Sequence, residues 1–339
     1  MCWSFFFSRY RAELFRTKGN QSRRPSCFAP AHTNDRAFMS NIILSDFDET
    51  ITSVDTISTL AVLPYLYKQF AIPWSHFTDT YAEGFQKFKT SNRTLPILHP
   101  WLLDQNKLIS AANFDELFYS EISYQDSVRP IELNSVNEME RSGAFRGISL
   151  EDVKDFATTK VPLLREDFIP VWKEASEMHI VSINWSQEFI ESSLYALASS
   201  KALRVSDLPL LHTHCNALQS KDGKLTGEFD KSIVTGADKV RKVQSLLKGF
   251  PVGSTVWYVG DSETDLLSAL HPGINGVLIL DPAANEKKFT KMMTVLGLTP
   301  THIKDYSRNS HAGIAKIPCK ENGALYLAKS WKALSKLLK

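Results

Sequence analysis

Disulfide chemistry is the first thing that this 339-residue chain does not offer. Its four cysteines, Cys2, Cys27, Cys215 and Cys319, lie far apart, and none sits in a CxxC pair. That spacing argues against a disulfide framework or a zinc site, and leaves reduced thiols in an intracellular protein as the simple reading. Long apolar runs are missing too. The longest candidate, residues 57–67, contains Pro64 and falls short of the roughly 20 residues that span a bilayer. Charge of one sign is not in excess: the net charge is +2, and beyond the N-terminus the basic residues form no block. A concentrated basic patch is what polyanion binding requires, so neither nucleic acid nor membrane is an expected partner. Repeats and low-complexity tracts are lacking as well. What remains is 43% apolar and 22% charged residues, a globular composition long enough for one large domain or two ordinary ones with a sizeable core.

The first 38 residues differ from the rest. Arg9, Arg11, Arg16, Lys18, Arg23, Arg24 and Arg36 face only Glu13 and Asp35. The apolar patch at residues 2–7 is too short for a secretory signal. Three readings stand: a mitochondrial presequence, a disordered basic extension, or translation that starts at Met39. The segment has no sustained periodicity, which favours a dispensable leader. A cytoplasmic location is expected, or a mitochondrial one if the leader is a genuine presequence.

The remainder alternates strand and helix signals. Asn41–Ser45 (NIILS) is a short apolar run that ends in acids, and reads as a buried parallel strand. Residues 179–183 (HIVSI), 255–259 (TVWYV) and 276–280 (GVLIL) look alike. Helix-period segments at 187–197, 237–247 and 264–270 separate the last three. Such alternation implies an α/β fold: a Rossmann-like, doubly wound parallel sheet with helices on both faces. The gap between the first two strands is too long for one crossover. Residues 55–171 are therefore expected to form an inserted, mostly helical cap over a core of residues 39–54 and 172–339. Helical spacing marks 55–68, 76–89 and 114–123, and Ser149 followed by Asp152 reads as a capped helix start. Deep burial of long helices in the core is the alternative for this stretch. Asp222-Gly223 between two extended stretches signals a hairpin. A last strand and helix are expected over residues 324–338.

Two acidic clusters stand out. Asp46-Phe47-Asp48-Glu49-Thr50 follows the first strand, and alternation puts Asp46 and Asp48 on the same side. Paired carboxylates are unfavourable unless a cation or phosphate chemistry needs them; a solvated turn that caps a helix is the plain alternative. The second cluster, Gly260-Asp261-Ser262-Glu263-Thr264-Asp265, also follows an apolar strand. Helix capping could explain either one. Two clusters at the C-terminal ends of neighbouring parallel strands point into one crevice.

DFDET resembles the DxDxT signature of the haloacid-dehalogenase superfamily, and GDSETD its acidic GDxxxD motif. Between them stand a strand-terminal Ser182 and a helix-starting Lys239, in the order of the phosphoserine-phosphatase-like branch. The resemblance covers about residues 41–285 and implies a Mg²⁺-dependent phosphatase acting on a small phosphate ester. It implies Asp46 as nucleophile and Asp48 as acid and base. Thr50, Ser182 and Lys239 are the implied phosphate contacts. The implied metal ligands are Asp46, the Asp48 carbonyl and Asp261, with Asp265 behind them or ligating directly. Asp48 distinguishes this pattern from dehalogenases, which lack the acid.

Other features remain open at this level. INWS stands where phosphoserine phosphatases carry a glycine pair, so Asn184 or Ser186 can take part. Trp185 either packs over a substrate ring or, the favoured reading, fills the core. Asp55 sits where that branch reads a substrate amine, although a helix N-cap is the slightly favoured alternative. Related phosphatases act on phosphocholine-type and thiamine-phosphate substrates, so a cationic or aromatic small ester is implied. Arg129, Arg141, Arg146 and Arg165 are candidate contacts for an anionic group. His179, His212 and His214 read as structural. Competing functions are a protein phosphatase or phosphotransferase on the same scaffold, and a catalytically idle binding module. A long cap disfavours a large protein substrate. Oligomeric state is not readable.

Overall fold

The computed structural model describes residues 40–104, 107–304, 306–308 and 311–338. The basic leader at residues 1–38 lies outside them.

Seven strands form the main sheet. They are β1 (Asn41–Ser45), β2 (Glu177–Val181), β3 (Leu210–His214), β6 (Thr255–Gly260), β7 (Asn275–Ile279), β8 (Ile314–Ile317) and β9 (Leu325–Ala328). Their order is β3-β2-β1-β6-β7-β9-β8, and only β8 runs antiparallel to its neighbour. The expected α/β architecture is therefore the observed one. A separate hairpin pairs β4 (Ala217–Lys221) with β5 (Lys224–Asp230). Its turn residues Asp222 and Gly223 both have positive φ, 52° and 75°, as an Asp-Gly hairpin turn requires.

Apolar side chains alternate across the central strands into two cores. Ile43, Trp257, Val259 and Val277 bury into one face. Ile42, Leu44, Tyr258 and Leu278 bury into the other. Among the described residues, twelve α-helices accompany the strands. Between β1 and β2 run α1 (Ile57–Leu60), α2 (Leu63–Tyr67), α3 (Trp74–Lys87), α4 (Pro100–Asp104), α5 (Phe114–Arg141), α6 (Leu150–Thr158) and α7 (Ile169–Glu174). After β2 come α8 (Gln187–Ser200), α9 (Gly236–Leu247), α10 (Leu266–Leu270), α11 (Glu286–Leu296) and α12 (Trp331–Leu334). Residues of α8 and α12 pack on the first face, and those of α9, α10 and α11 on the second. No helix among the described residues is long and apolar enough to cross a membrane.

The described residues between 55 and 171 carry helices α1 to α7 and no named strand. Ser149 caps α6 with Asp152 in a reciprocal box. Yet α5 runs 28 residues through Pro130, well beyond the short helix expected there. Parts of the insertion also bond to core elements. The amides of Ile97 and Leu98 donate to Val295 (2.7 Å) and Leu296 (3.2 Å), and that of Ile109 to Cys319 (2.9 Å). Strand β2 begins two residues before the expected start, because its pairing with β1 starts at Ile42 opposite Glu177.

β1 lies inside the sheet, between β2 and β6. The loops after these three strands therefore open at one edge of the sheet, where the chain order reverses and a crevice forms.

Candidate active site

The ladder carries β1 one residue past its end: the Asp46 amide still donates to Val259 O at 2.8 Å. The chain then turns sharply, with the Ile51 and Thr52 amides both donating to Phe47 O. Phe47 is buried in the core against the edge of Phe189. Anchoring it there leaves Asp46 and Asp48 on the cavity side. Glu49 takes a left-handed φ of 55°, a conformation disfavoured for a residue with a Cβ. Its amide donates to Thr52 Oγ1 at 2.9 Å.

Lys239 is 1% exposed at the start of α9, whose N-terminus is fixed by a capping box between Thr235 and Asp238. Its ammonium lies 2.7 Å from Asp46 Oδ2 and 2.8 Å from Asp265 Oδ1. Burial disfavours its charge, but the two carboxylates outweigh that and hold the lysine protonated. Asp265 is equally committed. It accepts from Tyr258 Oη at 2.7 Å, from the Asp261 and Ser262 amides, and from the Ser262 hydroxyl. Burial disfavours this carboxylate, yet Lys239 and those donors together keep its pKa below the usual range. Gly260 makes the arrangement possible: a Cβ there would fall 2.4 Å from Asp265.

Asp46 and Asp261 are electrostatically different. Burial, with the nearby acids, pushes Asp46 up to about 8 against the pull of Lys239. Burial and Asp265 push Asp261 up to about 6, opposed by Lys288 and Thr50. Carboxylate oxygens of Asp46, Asp261 and Asp265 all lie within 4.8 Å of one another, a buried acidic triad.

Asp48 Oδ1 accepts from the Thr56 amide (2.7 Å) and hydroxyl, and Oδ2 accepts from Asn184 Nδ2 at 2.9 Å. Burial still raises its pKa above the ordinary aspartate value, more than those bonds lower it. Ser182, 1% exposed at the end of β2, accepts from the Asn184 amide at 3.2 Å.

Asp46, Asp48, Ser182, Lys239, Asp261, Asp55 and Trp185 all line one cavity of about 410 Å³. Thr50 does not line it. Its hydroxyl donates to Asp261 at 2.6 Å. Asp265 likewise sits behind the cavity wall. Asp55 accepts from the Ile57 amide at 2.9 Å and lines the cavity, while the N-cap position of α1 falls to Thr56. Trp185 packs on Trp74, Phe145 and Phe229, as the core reading expects, and also forms part of the cavity wall.

The four candidate arginines lie elsewhere. Arg129 pairs with Asp238, Arg141 with Glu138, Arg146 donates to Thr226 O, and Arg165 to Thr52 O and Glu49 O. Their charge suggested an anion site, but these bonds already occupy them. The histidines are stacked: His179 lies 4.6 Å from His212 and 5.5 Å from His214. Donor atoms of Glu177, His179 and His212 come within 4.8 Å of each other. Both His179 nitrogens are nonetheless engaged, one by Glu177 and one by His214, each at 3.2 Å.

Sequence reasoning missed Lys288, Thr56, Tyr81 and Glu132. The Lys288 ammonium bridges Asp261 and Glu49. Its helix, α11, carries readable signals, an Asn285 N-cap and a left-handed Gly297 at the C-cap. Glu132 lies in the part of α5 beyond the expected segment.

No family model matches the chain. "Cold tolerance protein 1" of Saccharomyces cerevisiae is 39% identical, over 88% of this chain and 98% of that protein. A "CTO1 family protein" of Schizosaccharomyces pombe is 26% identical, over 66% of this chain and 76% of its own length. Among solved structures, a substrate-bound phosphoserine phosphatase covers 77% of this chain and 99% of its own, at 15% identity and a TM-score of 0.37. The four motifs that resemble those of the haloacid-dehalogenase superfamily meet at the C-terminal edge of the parallel sheet, and the chain belongs to the family of Cold tolerance protein 1.

Proposed function

We propose that the protein is a phosphatase that hydrolyses a small phosphate monoester through an aspartyl-phosphate on Asp46. One observation carries this reading: Lys239 bridges Asp46 and Asp265 on the floor of a cavity that Asp48 and Asp261 also line. A phosphate dianion resists attack by an anionic nucleophile, so such a site must supply positive charge and alignment.

The donor set fits magnesium. It consists of buried hard oxygens, and the nearby lysines only partly offset the mutual repulsion of Asp46, Asp261 and Asp265. Asp46, the Asp48 backbone carbonyl and Asp261 would hold the ion, with Asp265 fixing the surrounding loop. When bound, Mg²⁺ supplies positive charge that offsets the repulsion between Asp46 and the substrate.

The chain's own groups do the rest. An Asp46 oxygen forms a bond to phosphorus as the ester P–O bond breaks. The protonated form of Asp48, which burial favours, gives its proton to the departing oxygen. The Asp48 carboxylate then takes a proton from water as that water attacks phosphorus, which releases phosphate and restores Asp46. Ser182 and Lys239 hold the phosphoryl oxygens. Helices α1 to α3 and the second half of α5 act as a cap that excludes water. The site lies in the cytoplasm, or in mitochondria if the leader is a presequence.

A second reading has one observation in its favour. The Lys288 ammonium already neutralises Asp261, as an idle binding module would allow. Hydrolysis of p-nitrophenyl phosphate with and without Mg²⁺ separates the two. The phosphatase reading expects Mg²⁺-dependent turnover that Asp46→Asn abolishes; equal inertness of both proteins across a panel of small esters would leave the idle module.

A further inference from the structure

A phosphate ester has two ends, and the cavity treats them differently. At the floor, Lys239 meets the phosphoryl group. Above it the walls are apolar and aromatic: Ile57, Trp74, Phe77, Val136 and Trp185 line the space. Among these walls sits one carboxylate, Glu132 of α5. Its Oε1 accepts from the Tyr81 hydroxyl at 2.9 Å.

The charge on the lining is lopsided. Asp46, Asp48, Glu49, Asp55, Glu132 and Asp261 are acids, and Lys239 is the single cation. Three of those acids belong to the chemistry of the floor. Glu49 is paired with Lys288 at 2.8 Å. Asp55 is exposed at the mouth and takes the Ile57 amide. Glu132 is left inside the aromatic wall, with no ion pair to it among the described residues.

An uncompensated carboxylate in an apolar wall is unfavourable. Burial accordingly pushes Glu132 up to about 7. Hydrophobic packing does not need an acid there, and a neutral residue of the same shape would be more stable. A leaving group with a carboxylate would meet Glu132 and find no cation on the lining beyond Lys239, which Asp46 and Asp265 already hold at the floor; the four arginines that might have supplied one are bonded elsewhere. A positively charged group relieves the defect, and aromatic walls favour a cation spread over an apolar body.

From this, and resting on the phosphatase reading above, we infer that the substrate's leaving group carries a cationic nitrogen on an apolar or aromatic body, and that Glu132, oriented by Tyr81, is the residue that reads it. A leaving group whose only charge is a carboxylate is disfavoured by the same argument.

Three probes of matched shape test this: benzyl phosphate, para-aminomethylbenzyl phosphate and para-carboxybenzyl phosphate. The measurement is kcat/KM for wild type, Glu132→Gln and Tyr81→Phe, with Mg²⁺ present and the pH above the Glu132 range. The aminomethyl probe should exceed benzyl phosphate by about tenfold, and the carboxy probe should fall below it by a similar factor, a difference of the size one desolvated charge contact gives. Glu132→Gln should bring the aminomethyl-to-benzyl ratio close to one, mainly through KM, and Tyr81→Phe should lower it partway. The wild-type ranking decides even if a variant folds poorly. Equal efficiency for all three probes, or preference for the carboxy probe, overturns the inference and leaves the phosphatase reading standing. If no probe is turned over above the Asp46→Asn background, the phosphatase reading itself falls.

Discussion

The Asn184 carboxamide donates to Asp48 Oδ2 at 2.9 Å. With Thr56 holding the other oxygen, Asp48 is fixed beside the nucleophile rather than left to swing. The asparagine occupies a position where the resembling phosphoserine phosphatases have glycine. Its side chain has become part of the acid's support.

A held acid matters most when the leaving group is poor. Asp48→Asn should lower kcat by about 10²–10⁴ on alkyl phosphates, the usual size of general acid–base assistance. The loss should be smaller on p-nitrophenyl phosphate, whose leaving oxygen needs no proton. Asn184→Ala should follow the same leaving-group pattern with a loss of about tenfold. Rates across a series of leaving-group pKa values check this. Equal losses on good and poor leaving groups would remove Asp48 from the acid role.

Lys239 is sandwiched between two buried carboxylates. Lys239→Met leaves Asp46 and Asp265 facing each other unpaired. The expected destabilisation of the metal-free protein is about 3–5 kcal/mol, the cost of breaking a buried pair on one side. Urea unfolding at neutral pH measures it. Added Mg²⁺ should recover part of the loss in the variant.

Glu132 gives stability a pH dependence of known sign. Its folded pKa, about 7, lies above the ordinary glutamate value. Below the unfolded pKa both states are protonated and the group contributes no penalty. As pH rises, the unfolded chain ionises first, and stability falls until the folded group ionises near 7. Glu132→Gln should therefore be more stable than wild type at pH above that range, by on the order of 1–3 kcal/mol. The difference should shrink toward acid pH. Thermal unfolding of both proteins across pH tests it.

Two residues act on Asp261 in opposite ways. The Thr50 hydroxyl orients it, whereas the Lys288 ammonium competes for it. Thr50→Val should weaken divalent-ion binding by about 10–100-fold, the usual effect of losing a ligand's hydrogen-bonded support. Lys288→Met should strengthen it. Titration with Mn²⁺ followed by electron paramagnetic resonance reads both without any turnover.

How far the sequence led depends on distance along the chain. β1, its DFDET turn and the GDSETD loop were legible because strand, turn and acids are contiguous. Thr50 was read as a phosphate contact because its motif position was visible, while its partner Asp261 lies 211 residues away. Lys288 meets Glu49 across 239 residues, and nothing local marks that encounter. Glu132 was missed because helical spacing was read only over residues 114–123. The helix keeps going past that stretch. The arginines illustrate the converse: charge alone nominated them, and only packing showed each one already bonded.

The central claim is that Asp46 becomes covalently phosphorylated. Rapid quenching during turnover of a labelled phosphate ester, followed by peptide mass spectrometry, tests it most directly. The account predicts an acyl-phosphate on the Asp46 peptide in wild type, longer-lived in Asp48→Asn and missing in Asp46→Asn. Sustained turnover with no label on Asp46, or with label on another residue, would contradict it.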